Sequence, residues 1–109
     1  MPEQYLIALI TVPSEETGRK IARHLLEQKL AACVNIIPGV RSMYVWKGEI
    51  QDEAEALLVV KTRSELFSEH LVPALKAVHP YEVPEIIALP VVSGSVEYLK
   101  WIEEVTSHQ

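Results

Sequence analysis

Apolar and polar residues alternate between two rhythms along this chain, and the switches between them mark its elements. Tyr5 to Val12 is a nearly unbroken apolar run rich in Ile, Leu and Val, which predicts a buried strand. Pro13-Ser14 ends it. Ser14 suits a helix N-cap, and Glu15 and Glu16 fall at the positive end of the helix dipole. Gly18, Ile21, Ala22, Leu25 and Leu26 then recur at helical spacing as one apolar face, with Arg19, Lys20, Arg23 and Glu27 mainly on the other. This helix is expected to stop near Lys29.

Leu30 to Ile37 is a second apolar run, interrupted by Asn35, with Pro38-Gly39 breaking or bulging it. The chain is expected to continue extended through Val40, Met43, Tyr44, Val45 and Trp46, to turn at Lys47-Gly48, and to return as a strand from Ile50 to Thr62. Ser64 is placed to cap a second helix carrying Leu66, Phe67, Leu71, Leu75 and Val78. Pro73 inside that pattern should kink or split it. A connector, His79-Pro80-Tyr81-Glu82-Val83-Pro84-Glu85, leads into a strand from Glu85 to Val92, interrupted near its end by Pro90. Ser93-Gly94-Ser95 turns, and Ser95 caps a last helix with Tyr98, Leu99, Trp101, Ile102 and Val105. The order β-α-β-β-α-β-α predicts one α+β domain over residues 1–109, a split β-α-β arrangement with an antiparallel sheet and helices on one side.

A sheet covered on one face should alternate apolar and polar positions. Residues 5–12, 31–37, 56–60 and 86–92 are apolar at both parities. Both faces therefore call for burial, and leaving such side chains wet would forfeit about 1.5–3 kcal/mol each. A second copy of the chain covering the back is the economical solution. The last helix folding across the back is the alternative. Met43, Tyr44 and Trp46, in the hairpin arm most distant from the helices, also call for a partner surface.

Composition narrows the function. The net charge of −5 over 109 residues and the scattered Lys and Arg argue against nucleic acid as a partner. No apolar run approaches the ~20 residues of a membrane span, so no membrane association is expected. Met1-Pro2-Glu3-Gln4 lacks the basic region of a signal peptide, and the single cysteine, Cys33, rules out an intrachain disulfide. The expectation is a soluble, cytoplasmic protein.

Candidate chemistry gathers in the connector. Two prolines fix φ at their own positions and push His79 and Val83 out of helical geometry, so the polar groups sit on a stiff segment. A stiff segment can hold ligand atoms in place before a ligand arrives, or it can be a rigid joint between helix and strand. His79 with Glu85 is the best metal-ligand pair, suited to copper or zinc, with Tyr81 and Glu82 nearby. Cys33, within an apolar run, is expected to pack in the core. His24 and His70 read as rim residues, His108 as part of a terminal tail, and Glu49, Asp52, Glu53 and Glu55 as a solvated hairpin edge. No phosphate-binding loop, Cys-x-x-Cys, HExxH or catalytic triad is visible, so no enzyme and no organic cofactor are expected.

Several motifs occur in the order found in one family. Leu30-Ala31-Ala32-Cys33-Val34-Asn35-Ile36-Ile37-Pro38-Gly39, then Ser42 with Tyr44-Val45-Trp46-Lys47-Gly48, Lys61-Thr62, His79-Pro80-Tyr81 through Pro84-Glu85-Ile86, and Tyr98-Leu99 with Trp101 resemble the CutA divalent-cation tolerance proteins from about Tyr5 to Ile102. The resemblance implies a ferredoxin-like fold, a homotrimer with strands pairing between subunits, and a role in tolerance of copper or another divalent cation. It also implies a likeness to PII-type signalling trimers, whose inter-subunit clefts hold small ligands; Tyr81, Glu82 and Glu85 would line such a cleft. Some bacterial members carry a first-strand cysteine and a histidine before His-Pro. This chain has Ile10 and Val78 there, leaving His79 from that set.

Overall fold

The computed structural model describes residues 4–107; His108 lies outside them. Four strands, β1 (Tyr5–Val12), β2 (Cys33–Trp46), β3 (Glu49–Arg63) and β4 (Ile86–Pro90), form one antiparallel sheet in the order β2-β3-β1-β4. Helix α1 (Glu15–Glu27) follows β1. A segmented helix follows β3: α2 (Ser64–Leu66), a π turn (Phe67–Leu71) and α3 (Val72–Val78). Helix α4 (Val96–Val105) closes the chain. The α+β class and the element order agree with the sequence expectation.

Even-numbered β1 and β3 residues face the helices. Ala8, Ile10, Val12, Leu58 and Val60 are fully or almost fully buried against Ile21 and Leu25 of α1 and Leu71 and Leu75 of the segmented helix. Ser14 caps α1, its hydroxyl accepting the Thr17 N–H at 3.1 Å. At the other end Lys29 adopts φ 59°, and the N–H groups of Lys29 and Leu30 return to Leu26 and Leu25. This is a Schellman ending with lysine where glycine is usual. Leu26, expected on the buried face, is exposed.

Three expectations need correction, and the one at Pro73 holds. Ser64 opens the second helix without capping it; the cap is Arg63, which makes no side-chain capping bond. The split expected around Pro73 is present: the helix divides into α2, the π turn and α3, and the looser turn ending at Leu71 relieves both the missing N–H and the crowded preceding carbonyl. β4 is only Ile86–Pro90. The helices also do not share one side. Tyr5 and Arg63 on the back face bond to Glu103 of α4 and to Thr106, its C-cap, so α4 crosses the back at that end of the sheet. Ile37, Ile87 and Leu89, on the same face, stay about half exposed.

The long hairpin is the decisive feature. Lys47 and Gly48 both take positive φ, 52° and 80°, as a two-residue turn between twisted strands requires. Below it, pairing passes from Ile37↔Leu57 to Val40↔Glu55, one residue more on β2 than on β3. Gly39, at φ 77°, carries this bulge. The extra residue flips β2: before it Cys33, Asn35 and Ile37 face the back, and after it Val40, Ser42, Tyr44 and Trp46 do.

Candidate functional site

The flip builds a site. The back of the distal hairpin now presents Ser42 and Tyr44 beside Glu53 and Glu55, and the connector folds alongside. Together they border a cavity of about 890 Å³ lined by Tyr44, Glu53, Glu55, Tyr81, Glu82 and Glu85 among others. This lies within the usual range of small-molecule sites.

His79 anchors the connector. Its backbone is extended (φ −80°, ψ 135°), as a residue before proline prefers. β4 pairs with β1 only as far as Ile10, so Thr11 has no β4 neighbour. The His79 ring fills that gap: Nε2 donates to the Thr11 carbonyl at 2.8 Å, and Nδ1 accepts the Tyr81 N–H at 3.1 Å. A carbonyl can only accept, which fixes the proton on Nε2. The ring is 8% exposed and lies against the Tyr81 ring at 4.8 Å between centroids. Both nitrogens are therefore engaged. Glu85 borders the cavity and His79 does not.

Tyr81 carries the anchoring forward. Its hydroxyl donates to Glu55 Oε2 at 2.5 Å. Desolvation, and then the bond to Glu55, hold the Tyr81 phenol well above the ordinary tyrosine range, so it remains the donor. Tyr44 donates to Glu53 at 2.6 Å, and chiefly through that bond is pushed up to about 12.

The connector residues Tyr81, Glu82 and Glu85 all border one cavity of the single chain. Glu55 was not anticipated as a site residue. The acidic run read as a solvated edge, yet Glu55 is 7% exposed. Only the bulge at Pro38-Gly39, combined with the tyrosine across the cavity, would have signalled it. Cys33 is half-buried on the back face rather than in the core, with Lys61 Nζ 3.8 Å from its sulfur. His24 is half-buried at the rim and His70 is exposed.

Relatives share this architecture. The CutA1 divalent ion tolerance protein family matches residues 6–105. The chain belongs to that family. The divalent-cation tolerance protein CutA of Thermus thermophilus is 54% identical over 100 residues, 92% of this chain and 96% of that protein. The human protein CutA is 46% identical over 110 residues, and the match spans 97% of this chain but 59% of that protein. Among solved structures, the Thermus thermophilus divalent cation tolerance protein superposes with a TM-score of 0.90 at 52% identity, covering 94% of this chain and 99% of that one. CutA1 from Oryza sativa reaches 0.92 at 43% identity, covering 98% and 97%.

The family description raises the question of a metal. Among the described residues no group of three or more His, Cys, Asp or Glu converges to hold an ion. Ile10 is fully buried in the core, and Cys33 does not border the cavity, so neither gives the cavity a thiolate. The donors that do border it are carboxylates and phenols. Such a set fits a hard divalent cation that keeps much of its water, and does not fit Cu(I).

Proposed function

We propose that this CutA-family chain acts in the response to divalent cations as a homotrimer, and that the cation is held loosely at the cavity, with Glu85 and Glu82 as its ligands. The observation that carries this reading is that Glu82 and Glu85 border a cavity whose wall also holds Glu53 and Glu55, a carboxylate-rich lining in which no three of these groups close on one point, so that water completes the shell of a loosely held ion. His79 then serves as the strut that presents the connector, and copper enters as Cu²⁺ or is replaced by a harder ion. Calorimetric titration with Cu²⁺ and Mn²⁺ tests it. Glu85→Gln should weaken the binding seen in the native protein, and unchanged binding would reject the site.

The trimer is supported by the apolar back face. Ile37, Ile87 and Leu89 lie there half exposed beyond the reach of α4, and Met43, Val45 and Ile50 are more exposed on the hairpin. A well-folded 12.3 kDa species in sedimentation at low micromolar concentration would reject the assembly.

A second reading is a PII-like scaffold that binds a small molecule in the same cleft. It is favoured by the volume of about 890 Å³, far larger than an ion needs, and by the engagement of both His79 nitrogens. Ligand-dependent thermal stabilisation that survives a chelator would support it.

A further inference from the structure

Glu55 presents an unusual imbalance. It is a carboxylate 7% exposed, it borders a cavity, and its one side-chain hydrogen bond joins Oε2 to Tyr81. Among the described residues nothing donates to Oε1, and no lysine or arginine lies within ion-pair distance. Buried carboxylates ordinarily carry a cationic partner, because removing an unpaired charge from water is costly. Among the described residues one guanidinium lines the cavity, that of Arg41, against the four carboxylates Glu53, Glu55, Glu82 and Glu85. It springs from the opposite hairpin face by register, and its Nε is taken by Asp52 at 2.6 Å rather than by a cavity carboxylate. Glu53 shares the Glu55 face, and its recorded partner is the neutral Tyr44 hydroxyl. The site therefore has surplus negative charge set among aromatic rings. That combination recognises an organic cation, which can donate N–H groups to the free oxygens while its body lies on the rings.

We propose that the cavity binds a small organic cation bearing an amine or guanidinium group, with Glu55 Oε1 accepting its N–H and Tyr81 fixing the carboxylate. This rests on the small-molecule reading of the cleft and names the chemical class of its ligand. Glu85, on the exposed lip, takes a second donor or a second charge. Metal ions and amines call on different parts of the site: a hydrated ion needs the exposed carboxylates, whereas an N–H donor needs the buried one.

Agmatine, which carries an amine and a guanidinium, is the probe. Calorimetry and thermal shift are run on the intact oligomer in EDTA, with choline as a cation lacking N–H donors and glutamate as an anion. Saturable agmatine binding at millimolar or lower concentration is expected, with choline and glutamate much weaker. Glu55→Gln preserves the Tyr81 contact while removing the charge, and should weaken agmatine roughly tenfold or more. Glu97→Gln, on exposed α4 away from the cavity, should not. If Glu55→Gln fails to fold, Glu85→Gln supplies the comparison and should weaken agmatine too. Absence of saturable binding to the native oligomer, equal binding of choline, or binding unmoved by the carboxylate variant would each overturn the proposal. The Cu²⁺ and Mn²⁺ titrations separate the two ideas. Metal binding without agmatine binding sinks this inference and leaves the cation-response reading standing; agmatine binding in EDTA with no metal binding does the reverse.

Discussion

Replacing His79 with alanine separates a strut from a metal ligand. The side chain makes two hydrogen bonds, to the Thr11 carbonyl at 2.8 Å and from the Tyr81 N–H at 3.1 Å. Each such bond contributes about 1 kcal/mol net, and a partner left without a bond in a buried setting costs about 1–3 kcal/mol. Adding the lost packing against Tyr81, the expected destabilisation is about 2–4 kcal/mol. For a chain of this length that is on the order of 10–20 °C in Tm. The assay is denaturant unfolding of native and His79→Ala protein at one fixed concentration, since association makes stability concentration-dependent. Tyr81 should also lose its fixed position, loosening the cavity wall, while the cation-binding heat survives in weakened form because Glu85 and Glu82 remain. A loss below ~0.5 kcal/mol together with complete loss of cation binding would refute the reasoning and return His79 to the role of ligand.

Three further outcomes are expected. The Tyr44 and Tyr81 phenols are raised above the ordinary value of 10.0, so the folded chain keeps protons that the unfolded chain releases near that pH. Their stabilising contribution is full below pH 10.0 and falls as pH rises through the folded values; Tyr5 and Tyr98 are raised as well, so phenolate absorbance should show all four tyrosines titrating late, with the Tyr44 transition moving down in Glu53→Gln. Lys29→Gly should stabilise by about 0.5–1 kcal/mol, because φ 59° strains a residue with a Cβ; a lower denaturation midpoint would count against the Schellman assignment. Gly18→Ala should destabilise by about 1 kcal/mol despite a better helix propensity, because the new Cβ would sit 3.0 Å from Leu58 and 3.3 Å from Val12. A raised Tm in that variant would show that the fully buried Leu58 can move aside.

Most of the element map was legible because it depends on local signals. The run Tyr5–Val12, the Ser14 cap and the positive-φ turn at Lys47-Gly48 are set by neighbouring residues, and each sits where the pattern places it. Legibility fell where an element depends on something far along the chain. Ser64 resembles a cap but starts the helix, and its hydroxyl turns to the Gln4 carbonyl at 3.5 Å. The last helix is expected with the others on one side, with a fold across the back as the alternative. It lies on the other side because Arg63 bonds to Thr106 at its C-terminal end. The connector's polar residues were found from sequence because two prolines announce a stiff segment. The partner carboxylate was missed because Glu55 stands in a run of acidic residues that reads as solvated.

The sequence by itself determined the strands and helices, their order, the apolar character of both sheet faces and the rigidity of the His79 connector. These follow from side-chain periodicity and from the fixed φ of proline, which act within a few residues. Tertiary structure alone decided which face each hairpin residue occupies. One extra residue at Gly39 reverses the alternation of β2, and a period of two makes that reversal total. It also decided that the His79 nitrogens go to Thr11 and Tyr81, and that Glu55 is buried with no cation paired to it among the described residues. Those outcomes depend on where β4 stops and where the connector lands, distances across the fold that no local pattern encodes.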